Sequence, residues 1–273
     1  MQPVFQMTNK DRSFDGLSQR FRKNIYDSPK GQLRLALCWR ELLEQLPGLK
    51  GEAPLHIWDA GGGLGQMSLR LAELGHQLLY SDLSGEMADG FTLELASHSA
   101  AERVTVLQQS IQDVAAQQAM AGRFDVIVCH AVLEWVEDGP ALLAALKRCL
   151  KPGGVLSLMF YNLNALVLSN IGKGNLYKLR DEAFAGHPGS FTPPSPRRPH
   201  EVIDQLQQLG LEVQAKRGIR LVYDLMPRAI RDARSYDDVE AIEWQYGAQE
   251  PFWALGRYVH VLCKNTLHKT SSD

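Results

Sequence analysis

Short apolar runs that end in polar residues or glycines recur through residues 51–160. Each run has the length and continuous hydrophobicity of a strand buried in a parallel sheet. The five runs span residues 55–59, 76–82, 104–107, 124–130 and 155–160. Helical segments lie between most of them, so the pattern predicts a doubly wound, mostly parallel α/β sheet with helices on both faces.

The region before these runs is patterned differently. Apolar residues recur at helical spacing over residues 14–46, with an interruption at 26–31, which predicts two helices joined by a loop. Residues 1–13 are polar and are expected to fray. Residues 1–50 therefore form a predicted N-terminal helical arm or lid, and residues 51–273 form the main domain.

The region after the runs begins with a segment rich in glycine, proline and arginine over residues 162–200. Such a composition predicts a long irregular loop, and long loops in compact domains often cover a substrate site. Beyond this loop we expect helices at 200–209 and 226–246 and extended segments at 212–223 and 257–264. Earlier in the chain, we expect a loop at 109–114, after the third strand. The two extended segments complete a seven-stranded sheet as an antiparallel pair.

Glycines mark the junction between the first strand and its helix. Gly61, Gly63 and Gly65 alternate after Asp59, and glycine lets the backbone turn sharply and lets a ligand approach the main-chain amides. The dinucleotide pattern G-x-G-x-x-G fails because residue 66 is glutamine, and no Gly-Lys-Ser/Thr follows. The pattern D-x-G-x-G-x-G is instead typical of class I methyltransferases, which bind S-adenosylmethionine (SAM).

Each part of SAM has a candidate partner in the sequence. Asp82 follows Gly61 by 82 − 61 = 21 residues, near the roughly 20 expected for a carboxylate that binds ribose hydroxyls, with a helix N-cap as its alternative role. Ile111 and Gln112 are placed for the adenine. No Lys or Arg lies within residues 55–69 to meet the methionine carboxylate, so Arg34 is the candidate, with an ordinary surface arginine as the alternative. His130 ends the fourth strand, near the expected sulfonium.

The composition is that of an ordinary globular protein, with 45% hydrophobic and 22% charged residues. No apolar run approaches the roughly 20 residues of a membrane helix, and the start lacks the features of a signal peptide. The four cysteines are dispersed without a C-x-x-C pair, which favours reduced core thiols over a metal site. We therefore expect a cytoplasmic protein with no membrane span and no metal.

The charge is distributed unevenly along the chain. Residues 1–50 carry nine Lys/Arg against five Asp/Glu, a net charge of +4, and residues 51–160 carry six against thirteen, a net charge of −7. A basic arm beside an acidic core suggests an anionic partner near the arm, although solvated helix faces would give the same counts.

The residues after the fourth strand restrict the chemistry. The stretch Cys129-His-Ala-Val-Leu-Glu-Trp135 lacks the Asn/Asp-Pro-Pro-Tyr/Phe motif of amino methyltransferases, and no cysteine follows a proline as in cytosine C5 enzymes. A carboxylate acceptor needs neither motif, because it is already ionised and nucleophilic at pH 7. Positioning and charge complementarity could then carry catalysis, and we assign no catalytic residue.

Several blocks together resemble the bacterial tRNA 5-carboxymethoxyuridine methyltransferases, over about residues 14–264. The blocks are Phe21-Arg-Lys-Asn-Ile-Tyr26, Lys30-Gly-Gln-Leu-Arg34, Asp59-Ala-Gly-Gly-Gly63, Asp82-Leu-Ser84, His130-Ala-Val-Leu-Glu-Trp-Val136, Pro152-Gly-Gly-Val-Leu-Ser-Leu-Met-Phe-Tyr-Asn162 and Gly256-Arg-Tyr-Val-His260. The resemblance implies SAM-dependent methyl esterification of the carboxymethoxy group on the wobble uridine, in the anticodon stem-loop of tRNA. It also implies that SAM is contacted by Arg34, Gly61, Gly62, Asp82, Ile111, Gln112 and His130.

The chain departs from this family in its long loop. Where family members carry a lysine run, this sequence has scattered basic residues, namely Lys173, Lys178, Arg180, Arg197 and Arg198. The grip on the anticodon arm is therefore expected to be weaker or differently placed. The acceptor-side candidates are Tyr161, Asn162, Arg197, Arg198, Arg220 and Arg257. Tyr161 could stack on a flipped-out base, or it could simply pack at the edge of the core.

Two other functions agree with the same residues. One is a methyltransferase acting on a small molecule such as a quinone or carboxylic acid, against which the basic arm and the arginine-rich loop argue modestly. The other is a SAM-binding scaffold without catalysis, because Asp59, the glycine loop and Asp82 would bind the cofactor without turnover. Methyl transfer to RNase-sensitive product would separate the tRNA enzyme from both.

Overall fold

The sheet and its strand order follow the predicted topology. A computed structural model describes residues 15–16, 28–184 and 192–266. Seven strands pair in the order β3-β2-β1-β4-β5-β7-β6, and only β7 runs antiparallel to its neighbours within this described sheet. The strands are β1 His56–Ala60, β2 Gln77–Asp82, β3 Val104–Gln108, β4 Phe124–His130, β5 Leu150–Tyr161, β6 Leu211–Ile219 and β7 Tyr258–Asn265. The predicted seven-stranded α/β sheet with a late antiparallel pair is confirmed.

Helices connect the strands and cover the sheet. They are α1 Pro29–Gln45, α2 Gln66–Glu73, α3 Gly85–Leu95, α4 Ile111–Ala116, α5 Gly139–Cys149, α6 Leu163–Gly172, α7 Leu176–Arg180, α8 Pro199–Gln208, α9 Val222–Leu225, α10 Arg228–Arg231 and α11 Tyr236–Gly247. Two buried clusters lie on the two faces of the sheet. One contains Trp58, Ile127 and Leu158, and the other contains Ile57 and Val128. No helix in the described part of the chain is long and apolar enough to cross a bilayer.

Local capping explains where the structure departs from the sequence prediction. The loop predicted over 109–114 is instead the start of α4, because the Ser110 hydroxyl accepts a hydrogen bond from the Asp113 amide at 3.0 Å and donates one to the Asp113 carboxylate at 2.6 Å. The helix predicted over 226–246 is two helices, and Ser235 caps the second by accepting from the Asp238 amide at 3.1 Å. The segment 162–200, predicted to be irregular, begins with the helices α6 and α7.

The described part of the N-terminal arm is integral to the core. Helix α1 begins at Pro29 after Ser28, whose hydroxyl caps it, and proline is well suited to the first turn. Leu33, Leu37 and Leu42 on this helix have no exposed surface and pack in the cluster beneath β1 and β4. Apart from residues 15–16, which form a turn, the predicted first helix over 14–25 lies outside the described residues, and so does the block at 21–26.

Candidate functional site

The glycine loop makes a tight turn at the carboxyl end of β1. Gly61 has a φ of +76°, and the amides of Gly61 and Gly62 donate to the Ser81 carbonyl at 2.8 and 3.1 Å. A Cβ at position 62 would lie 2.5 Å from the Tyr80 ring and 3.0 Å from a carboxylate oxygen of Asp59. Only glycine therefore keeps this stretch of backbone in place beside the Asp59 carboxylate.

Asp59 is a buried carboxylate beneath this loop. Its side chain is 3% exposed, and one oxygen accepts a hydrogen bond from the Ser68 hydroxyl at 2.7 Å. Burial raises the pKa of Asp59 to about 6, because the charged form loses its hydration. A cationic group in contact with Asp59 would therefore gain more from this carboxylate than from an exposed one.

Asp59 lies in an open cleft, here called the central cleft, with a water-accessible volume of about 60 Å³. Its lining residues are Arg34, Leu35, Cys38, Asp59, Gly61, Gly62, Gln66, Met67, Val128, His130 and Met159. The structure thus brings Arg34, which is distant in sequence, to the same cleft as the glycine loop and His130. Sequence reasoning missed Cys38 as a lining residue, although its position one helical turn after Arg34 places both on one face of α1.

The remaining predicted cofactor residues lie beyond the central cleft, along the same edge of the sheet. Asp82 ends β2, and its two carboxylate oxygens accept hydrogen bonds from the amides of Gly63 and Ser84, each at 2.9 Å. Ser84, and not Asp82, caps the following helix. Burial raises the pKa of Asp82. Ile111 is buried and Gln112 half-buried at the start of α4, after the neighbouring strand β3.

His130 closes the other side of the central cleft. Its ring Nε2 lies 2.7 Å from the Ser157 hydroxyl, which leaves Nδ1 as the ring nitrogen available to a ligand. Burial, followed by the nearby His260 and Arg34, holds the pKa of His130 well below its usual range. The ring is therefore neutral at physiological pH. Ala131, the next residue, has a φ of +59° and turns the chain away from the cleft.

A second, smaller hollow, with a water-accessible volume of about 10 Å³, lies where β6 ends and β7 begins, and we call it the basic cavity. It is lined by Ala165, Ser169, Arg220, Leu221, Asp224, Leu225, Leu255 and Arg257. Asp224 pairs with Arg220 at 2.7 Å and with Arg257 at 3.4 Å, so one carboxylate faces two guanidinium groups. The Arg220 Nε is buried and has no hydrogen-bond partner within the described ranges.

Lys30 adds to the positive charge around the basic cavity. Burial lowers its pKa, and Arg220, Arg257 and Arg231 lower it further, while Asp224 opposes them. These shifts require the cations to lie within electrostatic range of one another. Excess positive charge held in a partly buried cavity favours an anionic ligand.

Tyr258 joins the two hollows. The guanidinium carbon of Arg34 lies 5.4 Å from the centre of the Tyr258 ring, and that of Arg220 lies 5.8 Å from it. Tyr161 pairs with Tyr258 between β5 and β7, and its hydroxyl accepts a hydrogen bond from Arg257 at 3.2 Å. An acceptor group in the basic cavity would therefore lie close to a cofactor in the central cleft.

Two predicted acceptor-side residues form hydrogen bonds with the main chain. Asn162 is completely buried, and its amide donates to the carbonyls of Ala254 and Gly256 while its oxygen caps α6. Arg197 donates to the carbonyls of Leu133 and Val136 in the loop after β4. The Asn162 amide and oxygen and the Arg197 Nε and Nη2 thus bond to the main chain, and the assignment of these two side chains to the acceptor stays a prediction.

Arg198 is exposed, and its two acidic neighbours within the described residues are distant. It lies 3.8 Å from Glu182 and 3.6 Å from Glu201, and ion pairs of this kind contribute little to stability in water.

Glu134, which sequence reasoning did not single out, is 1% exposed near Arg34 and Arg197. Burial raises the pKa of Glu134 to about 7, and one of its oxygens has no hydrogen-bond partner among residues with described positions.

The central cleft fits the amino-acid end of SAM. It offers one carboxylate, Asp59, and one guanidinium, Arg34, as a zwitterionic ligand requires. Glycine at position 62 lets the backbone lie against Tyr80 and Asp59, and Asp82 ends the neighbouring strand as a carboxylate suited to a diol. Within the described residues, no cluster of three or more His, Cys, Asp or Glu side chains could hold a metal ion.

Comparisons with known proteins identify the family of this chain. Residues 58–158 match the family model described as a methyltransferase domain. The chain is 36% identical over 264 residues to the tRNA 5-carboxymethoxyuridine methyltransferase of Escherichia coli strain K12, covering 95% of this chain and 98% of that protein. It is 31% identical to a ubiquinone biosynthesis O-methyltransferase of Xanthomonas axonopodis pv. citri, over 65% of this chain and 71% of that one.

Solved structures share the fold. A putative SAM-dependent methyltransferase from Listeria monocytogenes superposes with a TM-score of 0.61 at 17% identity, covering 86% of this chain and all of that one. The match at this identity concerns the fold alone. Taken with the near full-length relative, it shows that the chain is a SAM-dependent class I methyltransferase and belongs to the family of the tRNA 5-carboxymethoxyuridine methyltransferase.

Proposed function

We propose that this enzyme methylates the carboxyl group of 5-carboxymethoxyuridine at the wobble position of tRNA and forms the methyl ester. The observation that carries the proposal is the basic cavity beside the central cleft, where Arg220 and Arg257 share a single Asp224 and Lys30 lies within electrostatic range of all three. A carboxylate acceptor suits this excess of positive charge. The 36% identity to the Escherichia coli relative over 95% of the chain supports the choice of tRNA as the carrier of that carboxylate.

The methyl transfer requires the protein mainly to position the acceptor carboxylate against the methyl group of the cofactor. SAM supplies an electrophilic methyl group on its sulfonium. One bond forms between a carboxylate oxygen and the methyl carbon, the carbon–sulfur bond breaks, and its electron pair stays on sulfur. No proton moves, because the carboxylate is already ionised, so no general base is needed. Arg220 and Arg257 would hold the acceptor, and Tyr161 would keep the Arg257 guanidinium in place.

For the cofactor, we assign Arg34 to the methionine carboxylate and Asp59, through its buried charge, to the ammonium end. Gly61 and Gly62 would allow close approach of the backbone, and Asp82 would bind the ribose. Ile111 and Gln112 would flank the adenine, and His130 would lie at the sulfonium end. Arg34→Ala should weaken SAM binding measured by calorimetry by roughly tenfold or more, as expected for a lost charged hydrogen bond. An unchanged affinity would remove this assignment.

The exposed surface of α6 and α7 suits the anticodon arm. Lys173, Lys178 and Arg180 lie there beside the exposed Leu176 and Tyr177, so basic and apolar groups alternate. Basic side chains bind phosphates, and aromatic rings stack on unpaired bases. Lys173→Glu should lower the slope of log affinity against log salt by about one. Its matched control is Lys50→Glu, at an exposed lysine that precedes β1 at the amino end of the parallel strands, and this should leave the slope unchanged.

The decisive assay compares two tRNAs that differ only in the carboxymethoxy group. Label from methyl-labelled SAM should enter the modified tRNA alone, in a product that RNase digests and mild base releases. Arg257→Ala should lower kcat/KM for this tRNA by roughly tenfold to a hundredfold without changing SAM affinity. Label on the unmodified tRNA but not on the modified one would refute the proposal. Label in RNase-resistant small molecules would favour a quinone or carboxylic acid acceptor.

A further inference from the structure

A line of buried polar side chains crosses the sheet from the central cleft to α1. The His130 Nε2 lies 2.7 Å from the Ser157 Oγ, which lies 2.8 Å from the His260 Nε2. The His260 Nδ1 then lies 2.6 Å from one carboxylate oxygen of Glu41. Ser157 and His260 have no exposed surface, and Glu41 is 2% exposed. Solvent therefore does not compete for these hydrogen bonds.

The far end of the line is fixed by an arginine. The Arg217 Nε lies 3.0 Å from the second oxygen of Glu41, and an Nη of Arg217 donates to the Trp244 carbonyl at 2.8 Å. The guanidinium carbon also lies 3.6 Å from the centre of the Trp244 ring. Glu41 is thus held as an ionised acceptor with both oxygens engaged. A buried ion pair seldom stabilises a fold more than apolar residues of the same size, which makes a positional role the better account of this one.

The donors and acceptors along the line can be assigned from this end. A carboxylate only accepts, so the proton of His260 lies on Nδ1. Arg217 already balances the charge of Glu41, and a second cation on fully buried His260 would be uncompensated, so His260 is neutral and its Nε2 accepts. The Ser157 hydroxyl must then donate to His260, and the Ser157 oxygen must accept from His130. His130 accordingly carries its proton on Nε2.

We propose that Glu41, His260 and Ser157 are positioning residues that hold His130 as its neutral Nε2–H tautomer and so present an uncharged Nδ1 acceptor to the cofactor. This inference rests on the proposed assignment of the central cleft to SAM. The sulfonium and ammonium groups of SAM are cations, and Arg34 already brings one positive charge to the cleft. A protonated His130 would repel the cofactor, and the opposite tautomer would direct a donor where an acceptor is wanted.

The helix that carries Arg34 also carries Glu41, seven residues later on the same face. Docking of α1 therefore supplies both a direct cleft residue and the far end of the hydrogen-bond line. The strands that carry the side chains of this hydrogen-bond line are adjacent in the sheet. Arg217 lies opposite His260, and His260 lies opposite Met159. The tautomer of His130 thus depends on side chains from three other strands and one helix.

The test breaks the line at its centre. Ligand-free protein labelled with ¹⁵N-histidine is examined by long-range ¹H–¹⁵N correlation NMR, and His130→Gln identifies the His130 signals. The wild type should show a protonated Nε2 and a bare Nδ1. Ser157→Ala should give a mixture of tautomers and weaken SAM binding between about twofold and tenfold, the worth of one hydrogen bond. Ser157→Thr, which restores the hydroxyl, should recover both the single His130 tautomer and the SAM affinity.

The control separates this role from simple loss of packing. Cys263→Ala removes one fully buried heavy atom from the opposite face of β7. It should lower the Tm without altering the His130 tautomer or the SAM affinity. A protonated Nδ1 on His130 in the wild type overturns the proposal even if Ser157→Ala fails to fold, and so does an unchanged tautomer in Ser157→Ala. A changed tautomer with unchanged SAM affinity would instead refute the assignment of the cleft to the cofactor.

Discussion

Replacing Asp59 by asparagine tests whether the cleft carboxylate is kept at the expense of stability. The side chain is 3% exposed, and its pKa is about 6 against 3.8 for the free group. Each unit of pKa shift corresponds to about 1.4 kcal/mol, so ionising Asp59 in the fold costs about 3 kcal/mol. Asparagine has nearly the same shape, carries no charge, and its oxygen can still accept the hydrogen bond from Ser68.

The direction in which this stability difference changes with pH follows from the linkage between proton binding and folding. The folded-state pKa of Asp59 is raised, so its contribution to stability is fully present below pH 3.8 and is lost as the pH rises through 6. Asp59→Asn removes this loss. Its free energy of unfolding should therefore exceed that of the wild type by about 3 kcal/mol at pH 8 and by little at pH 4. Other buried acids, such as Glu134 and Glu243, are present in both proteins and cancel in the difference.

The measurement is urea denaturation of both proteins in the absence of SAM at pH 4, 6 and 8. SAM affinity is measured in parallel at pH 8, where Asp59→Asn should bind much more weakly if the buried charge serves the cofactor. A difference in unfolding free energy that does not grow between pH 4 and 8 would refute the assignment of a raised pKa. A more stable variant with undiminished SAM affinity would refute the functional role of the charge.

Three further outcomes are expected. Gly65→Ala should destabilise the protein by several kcal/mol in thermal or urea unfolding, because its φ is +72° and a Cβ would lie 2.1 Å from the Phe91 ring. Gly75→Ala, with a φ of +95° and open space around the Cβ, should lose only about 1 kcal/mol, and equal losses would contradict the steric account. Arg197→Ala should cost roughly 2–3 kcal/mol by leaving two carbonyls of the loop after β4 unpaired, with faster amide exchange in that loop; unchanged exchange would argue against this role. The four buried cysteines should resist thiol reagents at pH 8 until the protein unfolds, because burial raises their pKa values, and rapid labelling of the native protein would contradict their burial.

Local patterns predicted most of the architecture because strands and helices of this fold are encoded over short spans. The run that became β4 is apolar throughout, as a central parallel strand must be, and the structure places it between β1 and β5. The main errors concerned the loop at 109–114 and the segment 162–200, where capping by Ser110 and Asn162 starts helices within segments predicted to be irregular. Gly, Pro and Arg content alone does not reveal such caps.

The site was only partly predictable for a different reason. The glycine loop and Asp82 follow their strands directly, so their positions could be inferred from sequence. Asn162 and Arg197 looked equally available to an acceptor, but the fold occupies their donors with main-chain carbonyls. Whether a polar side chain serves a ligand or the backbone depends on which carbonyls lie within 3 Å of it, and sequence patterns do not specify those distances.

The sequence by itself determined the succession of strands and helices along the chain, the glycine turn and the acid that ends the second strand, because each depends on neighbouring residues. The tertiary structure decided which distant residues meet. Arg34 and Glu41 reach the cleft region only because α1 docks on the sheet, and His130 connects to Glu41 only because β5 and β7 are neighbours. Such partnerships depend on strand order and on the face that each side chain occupies, and these are settled when the whole core packs.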